Sequence, residues 1–124
     1  MELELNDFFR GIIDYEEGPI VICNLDYRII YENHIAGNFY SKEGPIRGKL
    51  LSSLLDEEKM SRVIMCVEWF KEDKRNNKVF ALHDNKNNMD MYILAIRNTN
   101  GELIGFYGRR EDRNPDPGEP FDFD

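Results

Sequence analysis

The two side chains that most often carry catalysis and metal binding are scarce in this 124-residue sequence, which has two histidines and two cysteines. No apolar run approaches the ~18 residues of a membrane span, and the acidic N-terminal residues lack the basic start and apolar stretch of a signal peptide. Lys and Arg total 16 against 24 Asp and Glu. This balance argues against binding to nucleic acid phosphates. The sequence therefore predicts a cytoplasmic protein that binds neither membranes nor nucleic acid.

Catalytic and metal-binding patterns are missing as well. Cys23 and Cys66 each lie inside an apolar run, which favours two reduced core thiols over a disulfide or a reactive thiol. There is no Gly-rich phosphate loop and no metal-ligand spacing. The carboxylates at 56–58 fit the start of a helix better than an acid–base pair. We predict no catalytic residue and no metal site, and a small enzyme would have to use Tyr40 or Cys66.

The composition is that of one folded domain with an acidic end. Hydrophobic residues make up 41% of the chain, enough for one core at this length. Residues 111–124 hold six carboxylates and one arginine, and so carry five of the eight net negative charges. Prolines there forbid regular structure. We predict an N-terminal amphipathic helix over 1–17, a main domain over 18–112 and a flexible acidic tail over 113–124.

Hydrophobic periodicity and turn residues predict the elements. In chain order they are a helix over 3–16, a β-hairpin over 19–32, a short helix over 34–40, a helical turn over 49–55, a long helix over 56–73, and strands over 78–83, 89–97 and 103–109. Asn33 and Asp56 are the expected N-caps, and Asn100-Gly101 is a hairpin turn. This order predicts an α+β fold, with a five-stranded antiparallel sheet that carries helices on one face.

Two stretches and the element order resemble a PAS domain over residues 5–112. Residues 18–33 resemble the first hairpin of that family, including the Asn after its second strand, and residues 100–108 resemble its final turn and strand. The resemblance implies a sensor and interaction module rather than an enzyme. Asp112-Arg113-Asn114 matches the Asp-Ile-Thr-like output triplet of the family only at the Asp. We therefore expect the protein to act by dimerising or through a separate signalling protein.

The resemblance also bears on cofactors. Haem-binding PAS domains carry an axial His on the long helix, whereas residues 56–73 contain none, and His34 and His83 lie elsewhere. Photoreceptor members carry a flavin-binding Cys in the short helices, but residues 34–55 contain no Cys. We predict neither haem nor covalent flavin, while a non-covalent ligand stays open.

A ligand cavity between the sheet and the long helix is the remaining candidate site. Its candidate lining residues are Ile22, Ile30, Phe39, Tyr40, Leu51, Val63, Val67, Phe70, Phe80, Tyr92, Leu94 and Phe106. The same residues could form a packed core instead. Alternation along a strand shows which residues share a face, but not which face turns inward.

The N-terminal helix has one strongly apolar stripe, formed by Leu5, Phe8, Phe9, Ile12 and Ile13. Such a stripe must cover its own sheet or pack against a second copy, and we favour a homodimer. Two main functional hypotheses follow. The chain is a stand-alone sensor for a small apolar or aromatic ligand, or a ligand-free dimerisation module.

Overall fold

The computed structural model describes residues 2–40 and 44–123. The helices are α1 (Glu2–Asp14), α2 (His34–Tyr40) and α3 (Glu57–Glu72), with a 3-10 turn at Leu51–Ser53, and the strands are β1 (Ile20–Asn24), β2 (Ile29–Glu32), β3 (Lys78–Asp84), β4 (Met89–Arg97) and β5 (Leu103–Asp112). Each predicted element is present. Met1 and Asp124, the outer ends of the predicted N-terminal and tail segments, lie outside the described residues.

The five strands form one antiparallel sheet in the order β2-β1-β5-β4-β3. This confirms the predicted α+β fold. The final strand inserts between β1 and β4, so the two ends of the domain meet at the centre of the sheet. Gly105 permits close approach there, because a Cβ on it would lie 2.4 Å from the carbonyl oxygen of Cys23.

Local polar contacts fix the helix ends. The Asp56 side chain accepts a hydrogen bond from the Lys59 N–H at 2.8 Å, and Asn33 Oδ1 accepts from the Ala36 N–H at 3.1 Å. Both bonds satisfy amides that the first helical turn leaves without partners. The two predicted N-caps are therefore confirmed.

The inner face of the sheet, which we define as the face that carries α2 and α3, holds the core. Its buried residues are Cys23, Ile29, Ile46, Val67, Phe70, Ile93 and Phe106. The opposite, outer face carries the alternate side chains of the same strands. Several of these are also apolar, among them Ile22, Leu94, Ile96 and Tyr107. The sheet is thus apolar on both faces, and α2 and α3 cover the inner one.

The end of α1 is anchored to the sheet, while most of its apolar stripe is exposed. Asn33 Nδ2 donates to the Ile13 carbonyl at 3.0 Å, and the Tyr31 hydroxyl donates to Asp14. Phe8 is 68% exposed and Ile12 is 64% exposed. Residues 113–123 carry no helix or strand. No helix within 2–40 or 44–123 is long and apolar enough to cross a membrane.

Candidate functional site

The core contains a small cavity of about 130 Å³ between the inner face of the sheet and the helices. The residues that line it are Val21, Cys23, Tyr40, Ile46, Leu51, Leu54, Leu55, Val63, Met91, Ile93, Phe106 and Gly108. Tyr40, Leu51, Val63 and Phe106 were among the predicted lining residues. Val67 and Phe70, also predicted, are buried in the adjoining core cluster.

Six predicted lining residues lie elsewhere. On β1 and β4 the lining comes from Val21, Cys23, Met91 and Ile93, so the alternate residues point to the outer face. These alternate residues are Ile22, Tyr92 and Leu94. They cannot reach a cavity between the sheet and α3, which corrects the prediction.

The other three predicted residues lie outside the cavity because Phe80 is on an edge strand, Ile30 is at a bulge and Phe39 is on the short helix α2. Phe80 on edge strand β3 pairs with Tyr92 and is 61% exposed. Ile30 is skipped where the β1–β2 register shifts, and is half exposed. Phe39 is 39% exposed and lies under the guanidinium of Arg110, 4.8 Å from its carbon to the ring centre. Of Tyr40 and Tyr92, the two tyrosines among the predicted lining residues, Tyr40 lines the cavity and Tyr92 does not.

Several lining residues were absent from the prediction: Val21, Cys23, Ile46, Leu54, Leu55, Met91, Ile93 and Gly108. Those on the strands could have been found by choosing the other alternation. Ile46 could not have been predicted in this way, because it lies in an irregular loop without periodicity. That loop is fixed by Glu32, whose carboxylate accepts hydrogen bonds from the backbone of Ile46 and Arg47 at 2.8 and 3.0 Å.

A buried thiol and a nearby arginine determine the electrostatics of the cavity. Burial raises the pKa of the Cys23 thiol to about 12, so this side chain stays neutral at physiological pH. Both cysteines are free, and Cys66 is half-buried. At one end of the cavity, Arg110 Nε donates to the Tyr40 hydroxyl at 3.2 Å. An Arg110 nitrogen also approaches Asp84 at 3.5 Å.

Neither histidine lies on α3. The His34 ring packs edge-on against Tyr15. His83 Nδ1 lies 2.6 Å from the Asp90 carboxylate, whose other oxygen is 3.3 Å from Arg113. Among residues 2–40 and 44–123, no group of three or more His, Cys, Asp or Glu side chains could hold a metal ion.

A larger groove, of about 960 Å³, opens on the outer face beside the end of α1. Its apolar residues include Ile12, Ile13, Ile20, Ile22, Met89, Ile96 and Tyr107, and its charged residues are Glu16, Glu17, Arg109, Arg110, Glu111 and Asp112. Two of the predicted interface residues, Ile12 and Ile13, thus line the groove. Leu5, Phe8 and Phe9 lie further along α1, each more than half exposed.

Comparison with solved structures identifies the fold. The PAS domain of a protein from Colwellia psychrerythraea matches with a TM-score of 0.63 at 19% identity, over 87% of this chain and 96% of that one. The PAS domain of BvgS from Bordetella pertussis matches with a TM-score of 0.58 at 17% identity, over 90% of this chain and 88% of that one. The chain has the PAS fold.

A third similar structure is a sensory box sensor histidine kinase from Vibrio cholerae, with a TM-score of 0.57 at 16% identity, over 90% of this chain and 93% of that one. No protein-family model matches the sequence, and a search of curated proteins gives no significant match. At these identities the likeness establishes the PAS fold and leaves the activity to be argued from the site.

The end of the PAS fold is held by local contacts in this chain. Strand β5 ends at Asp112, whose carboxylate accepts from the Asn114 N–H at 2.8 Å. The Arg113 N–H donates to the Asn88 carbonyl at 2.9 Å, and its side chain reaches Asp90. The chain that leaves β5 is therefore tied to the turn between β3 and β4.

Proposed function

We propose that the protein is a cytoplasmic sensor that binds a small apolar or aromatic ligand in the inner cavity and responds by changing its self-association. The cavity is the observation that carries the proposal. Its lining is apolar apart from one hydroxyl and one neutral thiol among the described residues, which is the composition typical of small-molecule sites. The proposal involves no catalysis and requires neither haem nor covalently attached flavin.

The sheet supplies a route from the cavity to the association surface. Val21 and Cys23 face the cavity, while Ile20 and Ile22, the alternate residues of the same strand, face the outer groove. A ligand that shifts β1 by a fraction of an ångström therefore moves side chains on both faces, because the packed core is stiff. The outer face and α1 would then bind a second copy more or less tightly.

A ligand-free dimerisation module is the second candidate function. The exposed apolar stripe of α1 favours it independently of the cavity, since Phe8, Phe9 and Ile12 are each more than half exposed. Exposed apolar side chains grouped on one surface commonly mark an interface. Under this alternative the cavity is a packing defect without a ligand, and a separate signalling protein could replace the second copy.

Native mass spectrometry of the protein purified from its own host separates the two functions. The sensor function predicts a dimer that carries extra bound mass, and the interaction function predicts a clean apo dimer. Val63→Phe places a ring in the cavity and should abolish the extra mass. Ile64→Phe is the matched control, because the neighbouring Ile64 is 39% exposed and does not line the cavity. Extra mass that survives Val63→Phe would place the ligand outside the cavity.

A further inference from the structure

The cavity has one polar end. Among the described residues that line it, polar side-chain atoms come from Tyr40 and Cys23 alone. A neutral thiol is a weak hydrogen-bond donor, so the orientation of a bound molecule depends mainly on the Tyr40 hydroxyl.

The Tyr40 hydroxyl is polarised by a cation. Arg110 Nε donates to its oxygen at 3.2 Å, and the guanidinium carbon lies 5.8 Å from the centre of the Tyr40 ring. A hydroxyl that accepts from a cation becomes a stronger donor through its own hydrogen. A hydrogen-bond acceptor at this end of the cavity would therefore be favoured.

Arg110 lies next to the cavity without being one of its lining residues, and it is also one of the residues around the outer groove. It follows the lining residue Gly108 by two positions, so both residues share the inner face of β5, and it pairs across the sheet with the lining residue Met91. Its side chain is 12% exposed, so water screens its charge only partly.

The positive charge of Arg110 makes only a long contact with the carboxylate of Asp84. The nearest Asp84 oxygen is 3.5 Å away, the outer limit of a hydrogen bond. The same carboxylate also accepts from Lys86 and Asn87 in its own turn, at 2.9 to 3.2 Å. An anionic group that approached Tyr40 would therefore find a cation with remaining donor capacity.

The volume limits the size of the ligand. A cavity of about 130 Å³ is close to an engineered apolar cavity of ~150 Å³ that admits benzene. The ligand body is therefore about one ring. A second charged group would have to be buried against apolar side chains, which is costly.

We propose that the cavity binds a small monocarboxylate with a single-ring or similarly compact apolar body. Its carboxylate lies at the end formed by Tyr40 and Arg110, and its body contacts Val63, Ile93 and Phe106. This inference rests on the proposed sensor function and narrows its ligand class. It excludes amines, which Arg110 would repel, and dicarboxylates, whose second charge would have no partner.

Calorimetric titration of the full chain with three benzene derivatives tests the proposal. Benzoate should bind at least tenfold more tightly than benzyl alcohol, and benzylamine should not bind. Tyr40→Phe and Arg110→Gln should each weaken benzoate about tenfold, the effect of losing one charge-assisted hydrogen bond. Arg109→Gln is the matched control, because Arg109 is adjacent on β5, alternates to the opposite face of the sheet and pairs with Glu111 at 2.9 Å. It should leave the benzoate affinity unchanged.

The outcomes separate the ligand class from the sensor function. Equal binding of benzoate and benzyl alcohol would overturn the carboxylate inference and leave the sensor function intact. An Arg109→Gln effect as large as that of Arg110→Gln would also overturn it, since general charge attraction would then explain the preference. Failure of every probe, together with absence of extra mass in the native protein, would overturn the sensor function itself. Tyr40→Phe keeps the aromatic ring and removes only the hydroxyl, so this variant still tests the proposal if Arg110→Gln unfolds the protein.

Discussion

At the scale of single residues, the side chain of Asn33 connects α1 to the sheet. It is 1% exposed, and its amide accepts from the N–H groups of Ile20 and Ala36 and donates to the carbonyls of Ile13 and Gly18 at 3.0 to 3.1 Å. These four bonds connect the end of α1, the start of β1 and the start of α2. No other amino acid of similar size offers two donors and an acceptor in this arrangement.

Asn33→Ala should therefore lower the free energy of unfolding by about 3 kcal/mol, because it leaves several buried backbone groups without partners. Urea denaturation measures the loss. The control is Asn38→Ala, an exposed position of α2, where we expect a change within about 0.5 kcal/mol. Equal losses of unfolding free energy in the two variants would show that the Asn33 side chain does not connect these elements.

The buried thiol of Cys23 predicts a pH dependence. Burial raises its pKa from 9.0 to about 12, so the folded state retains a proton that the unfolded state releases. Stability from this group is complete below pH 9 and falls as the pH rises from 9 towards 12, by up to about 1.4 kcal/mol per pH unit. Urea denaturation across this range should show a shallower slope for Cys23→Ala than for the native chain. Identical slopes would mean that Cys23 does not titrate in this way.

At the scale of elements, the end of α3 is closed by Arg97 from β4. The guanidinium donates to the carbonyls of Phe70, Asp73 and Asn76 at 2.7, 3.2 and 3.1 Å. It therefore satisfies carbonyls that a helix end leaves without partners, and its positive charge favours the C-terminal end of the dipole. The contacts hold the C-terminal end of α3 against the sheet.

Arg97→Ala should lower the free energy of unfolding by about 2 to 3 kcal/mol, the range for losing hydrogen bonds to a charged group. Amide hydrogen exchange should accelerate in the last turn of α3 more than in its first turn. Arg75→Ala is the control, because the Arg75 side chain is 88% exposed in its ion pair with Asp73 and should contribute nothing measurable. Uniform acceleration along α3 would contradict a role at its end.

The elements could be predicted from the sequence more fully than the site. Caps such as Asp56 and turns such as Asn100-Gly101 act locally, so their residues are sufficient evidence. The inward face of a strand is decided by distant packing. Strand β1 reads Ile20-Val21-Ile22-Cys23 and is apolar on both faces, so alternation could not show that Val21 and Cys23 line the cavity. Ile46 has no periodic neighbours, and only the fold brings it into the core.

At the scale of the whole molecule, α1 and the outer face of the sheet both carry exposed apolar side chains. Phe8 and Ile12 are 68% and 64% exposed, and Phe80 at the sheet edge is 61% exposed. Burial of such side chains stabilises by about 25 cal/mol per Å² of apolar area removed from water. A second copy of the chain would supply that burial. Helix α1 also carries four acidic residues against one arginine. Two copies of this helix therefore repel each other electrostatically where they approach.

The double variant Phe8→Glu, Ile12→Glu should therefore be a monomer of 14.7 kDa by light scattering, with unchanged unfolding, while the native chain should have twice that mass if our homodimer proposal is right. High salt should tighten the native dimer, because screening weakens the repulsion between acidic helices while apolar burial persists. The control is Phe121→Glu, Phe123→Glu, which changes two residues of the tail that are 84% and 91% exposed. Its mass should equal that of the native dimer. A dimer that survives the α1 variant, or dissociates in salt, would place the interface on other residues.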